Sequence, residues 1–263
     1  MKLCVLVAAL EQDADRLPEK MGLKNEAVIV NQCDHDGERV VTHRGRSIRI
    51  LERNERGVGR SRNLALDHAE GDIVLFSDED IVYDESYASR VIKAFRRRPS
   101  ADLILFNVRV NERRRTYWNE REKRVHGFNL GRYPTFCCAA RLERLKEKKV
   151  RFSLLFGGGA PYSNGEDSLF FMDCIRAGLR IYAVNAVIGR EEARESTWFR
   201  GYDRKFFYDR GVLYAFLYRK AALLWAARFV FAKCKYMCTE VPPLTAFALM
   251  RKGIEKGKRL CRE

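Results

Sequence analysis

The stretch 72–83, DIVLFSDEDIVY, constrains this chain more than any other, because an apolar strand pattern runs straight into three consecutive carboxylates. Side chains alternate along a strand, so Asp78 and Asp80 turn toward one point while Glu79 faces away. Two convergent carboxylates at the lip of a strand are costly unless something positive lies between them. A divalent cation holding a phosphorylated substrate is the usual occupant.

Short apolar runs alternate with helix-period segments around this strand. Leu3–Ala8, Ala27–Asn31, Ile48–Leu51, Ile73–Phe76 and Leu103–Val108 read as strands, and Val58–His68 and Ser86–Arg97 as helices, the second with Ser86 as N-cap. Further on, Ser168–Ala177 reads as a helix closed by Gly178, before a strand at Ile181–Val184. Alternation of this kind predicts an α/β sandwich on a mostly parallel sheet. Ligands of such sheets bind beyond the carboxyl ends of the strands, where two polar sites fall: Asn31–Asp34 and Asp78–Asp80. The charged middle, Asn111–Lys149, reads as a solvated excursion with a short helix.

Two further segments carry chemistry. In ERGVGRSRNLALDHA (55–69), Gly57 and Gly59 allow a tight entry to a helix whose N-terminus, with Arg60 and Arg62, makes an anion site; a solvated surface helix is the plainer reading. In Gly165-Glu166-Asp167, a carboxylate opens a helix after a glycine-rich run. An N-cap explains it structurally, and a general base that deprotonates an acceptor hydroxyl explains it functionally.

Together, RSRNLAL, AEGDIVLFSDED, GEDSLFF and the late STWFRGY resemble the family 2 glycosyltransferases over roughly residues 3–201. The resemblance implies a GT-A type α/β/α sandwich and an inverting transfer from a nucleotide-diphosphate sugar. It also implies that Asp34 contacts the nucleotide base, that Arg60, Arg62, Asn63 and Asp78 bind the donor, and that Asp78 and Asp80 hold Mg²⁺ or Mn²⁺. Asp167 would be the catalytic base, with Glu166 and Trp198 on the acceptor side. The acceptor would be a saccharide or lipid-linked saccharide in envelope or capsule polysaccharide synthesis. Two loops depart from the family pattern, Ala8–Gln12 after the first strand and NQCD after the second, and both touch the nucleotide pocket.

The expected division is a catalytic domain over 1–201 and a helical, aromatic tail over 202–263. Net charge is +15, and residues 201–263 hold 14 basic against 5 acidic side chains. That excess suits polyanions: nucleic acid, anionic lipid or phosphorylated substrates. In the tail, Val212–Ala232 mixes apolar and basic residues, and Val241-Pro242-Pro243 breaks it before Leu244–Met250. A helical hairpin on an anionic membrane surface and a pair of helices packed on protein, including a second copy of the chain, both fit. The eight cysteines show no CxxC spacing, and MKLCVLVAAL reads as a strand rather than a signal peptide, so a reducing, cytoplasmic setting is expected.

Two rivals remain at this stage. DEDIV also fits the nucleophile motif of haloacid-dehalogenase-like phosphatases, although that motif normally closes the first strand of its domain. A basic nucleic-acid-binding module would use the charge, but no nucleic-acid fold signature is present.

Overall fold

The computed structural model describes residues 1–112, 115–192 and 201–261. They fall into two compact units, Met1–Phe152 with Phe170–Glu195, and Ser153–Leu169 with Ser196–Glu263. The sequence suggested one cut at residue 201; in the fold, Ser153–Leu169 groups with the C-terminal helices.

The first unit is built on one ten-stranded sheet. Its elements begin with β1 (Leu3–Leu10), α1 (Leu17–Lys20), β2 (Glu26–Gln32), β3 (Gly37–His43), β4 (Arg46–Arg53) and α2 (Val58–Asp67). There follow β5 (Ile73–Asp78), β6 (Ile81–Tyr83), α3 (Tyr87–Arg97), β7 (Leu103–Arg109), β8 (Lys123–Val125), β9 (Cys138–Arg141) and α4 (Leu142–Glu147). Helix α5 (Glu166–Arg176) gives its first turn to the second unit and the rest to the first, which ends with β10 (Ile181–Glu191). The strand order is β3-β4-β2-β1-β5-β9-β7-β10-β6, with β8 also on β10. The β4-β2-β1-β5 stretch is parallel throughout, as is β7 with β10. Residues 3–9 of β1 and 73–77 of β5 are buried, as expected for central strands covered on both faces.

Four strands were not anticipated: β3, β6, β9 and the short β8. β3 joins β4 through Arg44 and Gly45, both at positive φ (49° and 72°), the two-residue turn whose twist suits a hairpin. β9 lies in the supposed excursion yet inserts antiparallel between β5 and β7. Its Cys138-Ala139-Ala140 is fully buried and carries no β-branched residue, so local propensity gives no strand signal. β6 follows β5 after only Glu79 and Asp80 but pairs with β10 near the other end of the sheet. Ser86 does occupy the N-cap of α3, but its side chain makes no capping bond.

In the second unit, α6 (Arg204–Tyr218), α7 (Ala222–Met237) and α8 (Pro243–Leu260) follow one another. The apolar run 212–232 is therefore not one helix. It breaks at Arg219, whose φ is 48°, and Pro243 opens α8 at the first helical position, where its missing N–H costs nothing. Segment 153–169 packs on α6: Phe156 is fully buried edge-on to Phe216, and Gly165 sits against Leu213. No described helix is long and apolar enough to cross a membrane.

Candidate active site

β5 delivers Asp78 to its carboxyl end, and the turn to β6 presents Glu79 and Asp80. β6 can lie against β10 only because Gly189 has no side chain: a Cβ there would sit 2.5 Å from the Val82 carbonyl oxygen. The same pairing sets Glu191 opposite Ile81, and Glu192 N donates to the Asp80 carbonyl at 2.8 Å. β10 thus adds Glu191 to the acidic turn, a neighbour that the sequence concealed because it lies over a hundred positions away.

The electrostatics of this turn are uneven. Arg62, from the first turns of α2, is buried (side chain 5% exposed) and donates from Nη2 to Asp78 Oδ1 at 3.1 Å. Asp80 has no such partner among the described residues. Burial, with the charges of Asp78, Glu79 and Glu191, pushes its carboxyl up to about 7. Asp78 and Asp80 fit a hard divalent cation on these grounds: all-oxygen donors, negative charge in excess, and one carboxylate that cannot comfortably ionise without a positive neighbour.

Arg62 is held by its own neighbours. Its guanidinium lies over the Phe152 ring, 5.3 Å from the centroid. Phe152 stacks on Phe170 at 4.1 Å with planes 4° apart and meets Phe76 edge-on. Asn63, expected beside the donor, commits its amide elsewhere: Nδ2 donates to the Phe152 carbonyl and Oδ1 accepts from the Phe152 N–H, both at 2.9 Å. A side chain that satisfies both backbone groups of one residue fixes that residue, so Asn63 holds the ring that covers Arg62. The entry to α2 is tied down as well, since Gly57 N donates to Gln32 Oε1 at 2.6 Å.

The remaining expected residues sit on other elements. Arg60 is exposed and pairs with Glu55 at 3.4 Å. Asp34 lies on the exposed turn after β2, where His35 Nδ1 is 2.9 Å from its carboxylate and holds it below the usual range. Cys33, Asp34 and His35 bring their ligand-type atoms within 4.8 Å of one another. They are consecutive residues, and adjacency alone accounts for their closeness. Glu166 and Asp167 are half-buried in the first turn of α5, in the second unit. Trp198 falls outside the described residues.

The loop that leads to Asp167 is anchored within the second unit by a residue that sequence reading passed over. Asp209 of α6, 2% exposed, accepts from Ser163 N and from Ser163 Oγ, each at 3.0 Å, and pairs with Lys205. Lys205 also donates to the Pro161 carbonyl, and Arg210 Nη2 to Asn164 Oδ1. Gly165 follows at φ 108°, with Leu213 where a Cβ would be, so this position tolerates glycine alone on both counts.

The sequence profile described as Glycosyl transferase family 2 matches residues 5–156, more than half of the chain. The chain belongs to glycosyl transferase family 2. Its fold is the GT-A fold, shared with two solved structures of low sequence identity. One is S. aureus TarS, solved in complex with UDP-GlcNAc, at a TM-score of 0.62 and 18% identity over 91% of this chain and 74% of that one. The other is the mannosyltransferase PcManGT from Pyrobaculum calidifontis, in complex with GDP-Man and Mn²⁺, at 0.53 and 16% over 97% and 86%. No curated protein matches the chain in sequence. Within this family, the acidic turn after β5 belongs to a transferase, and the phosphatase reading of DEDIV is set aside.

Proposed function

We propose that this transferase moves a sugar, with inversion, from a nucleotide-diphosphate sugar to a hydroxyl of a saccharide or lipid-linked saccharide, in envelope or capsule polysaccharide assembly. The observation that carries the chemistry is the uneven acidic turn: Asp78 answered by buried Arg62, and Asp80 with no cationic partner among the described residues and pushed up to about 7. A diphosphate donor with its Mg²⁺ or Mn²⁺ suits that imbalance. The UDP-GlcNAc of the TarS complex and the GDP-Man and Mn²⁺ of the PcManGT complex belong to those proteins and support this reading by analogy.

In this reading Asp78 and Asp80 would hold the metal, which would supply charge neutralisation for the departing diphosphate. Arg62, fixed between Asp78 and Phe152, adds a guanidinium whose direction is set before the donor arrives. Arg60 approaches from the solvent side of the same helix, and Asp34 meets the nucleotide base. Asp167 accepts the proton of the acceptor hydroxyl as that oxygen attacks the anomeric carbon from the face opposite the leaving group, so the linkage inverts. Glu166 is assigned to the acceptor side, and Trp198 is assigned there by the family resemblance alone. Asn63 supports the donor pocket through Phe152 rather than by touching the donor.

Nucleoside diphosphates added to the full chain with and without Mn²⁺, followed by thermal melting, test the donor half. A metal-dependent rise in melting temperature for one base, lost in Asp80→Asn, is expected; equal response to all, with or without metal, defeats it. Asp167→Asn tests the other half. Transfer should fall by about 10²–10⁴-fold with donor binding intact, and an unchanged rate removes Asp167 from the role of base.

A further inference from the structure

The outward face of α7 is apolar, cationic and free of acid. Ala222, Ala226 and Val230 are buried, and they define the inner stripe of the helix. On the opposite side Leu224, Arg228, Phe231 and Lys235 follow at spacings of four, three and four, which aligns them along one stripe. Leu224 is 72% exposed and Phe231 59%, with Leu223 and Tyr236 at 45% and 50% on the flanks and Leu244, at the start of α8, at 75%. Large side chains this open, this many and on one short helix are unusual for a surface that meets only water.

The charges sharpen the reading. No acidic residue occurs from Arg210 to Thr239. Arg219, Lys220, Arg228, Lys233 and Lys235 are all exposed, and none takes part in an ion pair among the described residues. Elsewhere in the molecule exposed arginines are commonly paired, as Arg16, Arg44, Arg60 and Arg151 are. A second copy seated symmetrically on this face would set four cations, Arg219, Lys220, Arg228 and Lys235, against four, which disfavours it. With 16 residues, α7 is too short to span a bilayer.

We propose that the α7 face is a docking surface for an anionic lipid bilayer, with Leu224 and Phe231 entering the boundary between headgroups and acyl chains. Arg228 and Lys235 extend along their aliphatic stems to the phosphates, with Arg219 and Lys220 just before the helix. This deepens the lipid-linked acceptor reading, because such an acceptor is presented at a membrane, yet the docking stands or falls without any assay of sugar transfer.

The full chain is sedimented with vesicles of phosphatidylcholine alone and of phosphatidylcholine mixed with phosphatidylglycerol, at low and raised salt. Binding to the mixed vesicles should exceed binding to the neutral ones by about tenfold or more and weaken with salt. Arg228→Glu with Lys235→Glu should cost roughly thirtyfold or more, from two cations removed from the surface. Leu224→Ser with Phe231→Ser should reduce binding to both vesicle types, and Phe231→Trp should show blue-shifted emission when vesicles are added. Circular dichroism of each variant should match the parent, since all four side chains point outward. Equal binding to both vesicle types, no binding to either, or variants that bind as the parent does would overturn the proposal. So would a dimer in sedimentation equilibrium that Leu224→Ser with Phe231→Ser dissolves while vesicles are ignored.

Discussion

Replacing Asp209 with alanine should loosen the loop before Asp167 and leave the sheet untouched. Asp209 is 2% exposed and takes two hydrogen bonds from Ser163, from the backbone N–H and from Oγ, each at 3.0 Å. A hydrogen bond to a charged partner is worth about 1.5–3 kcal/mol, so the two together come to roughly 3–6 kcal/mol. The Lys205 contact adds little, because that side chain is 59% exposed and a pair so open to solvent contributes about 0–1 kcal/mol. Alanine is the better helix former, so α6 gains slightly where the loop loses. Water entering the vacated space recovers part of the loss, and about 4 kcal/mol is a fair central figure.

That energy corresponds to about a thousandfold faster amide exchange by local opening. Hydrogen exchange read by mass spectrometry on peptides across 153–169 should show it, while peptides from β1 and β5 keep their protection. Asp209→Asn preserves volume and one acceptor oxygen, so its effect should be roughly half as large in free energy. Unchanged protection across 153–169, or an equal loss in β1, would refute the idea that this carboxylate holds the loop.

Other perturbations have equally definite outcomes. In a chelator, the protonated form of Asp80 is favoured by the fold, because its folded value of about 7 lies above the ordinary 3.8. Its contribution is therefore complete below about pH 4 and lost as pH rises toward and through about 7, on the order of 2–4 kcal/mol in all. Melting curves from about pH 5 to pH 8 should fall more steeply for the parent than for Asp80→Asn, and Mn²⁺ should flatten the parent's slope. Asn63→Ala removes both bonds to the Phe152 backbone and should cost about 2 kcal/mol by urea denaturation, with a weaker donor affinity as Arg62 loses its cover; full donor affinity would separate Asn63 from the pocket. In the second unit, a Cβ at Gly253 would lie 2.1 Å from the Tyr208 carbonyl oxygen, so Gly253→Val should undock α8 from α6 and expose the apolar face of each to a hydrophobic dye.

What the sequence disclosed follows from how far each interaction reaches along the chain. β1, β2, β5, β7 and helices α2, α3 and α5 announce themselves through composition and period within a dozen residues. β9 does not: Cys138, Ala139 and Ala140, followed by Arg141, form a central strand through pairing with β5 and β7 on either side. β3 escaped because its turn is Arg44-Gly45 and lacks the usual Asn or Asp. The site divides in the same way. Arg62 and Asp78 sit in local motifs, whereas the tie from Asn63 to Phe152 spans 89 positions and that from Ser163 to Asp209 spans 46. Motif reading finds the groups that face a substrate and passes over the groups that aim them.

The acidic turn shows why those long-range ties matter to chemistry. After Asp78 the chain has two residues in which to leave the centre of the sheet and pair with β10, and Gly189 gives up a side chain so that it can. The Asp80 backbone is held by Glu192 N, which keeps its Cα at the acidic turn beside Asp78, Glu79 and Glu191. Protonation near neutral pH is one relief from that crowding, and a bound cation is the other. The two compete for the same oxygens, so affinity for Mn²⁺ should climb with pH up to about 7 and level off above it. Asp78 should contribute less to that slope, because Arg62 already meets its charge. Among the described residues one arginine meets the first carboxylate and none the second, which leaves room for a positive charge that arrives with the substrate.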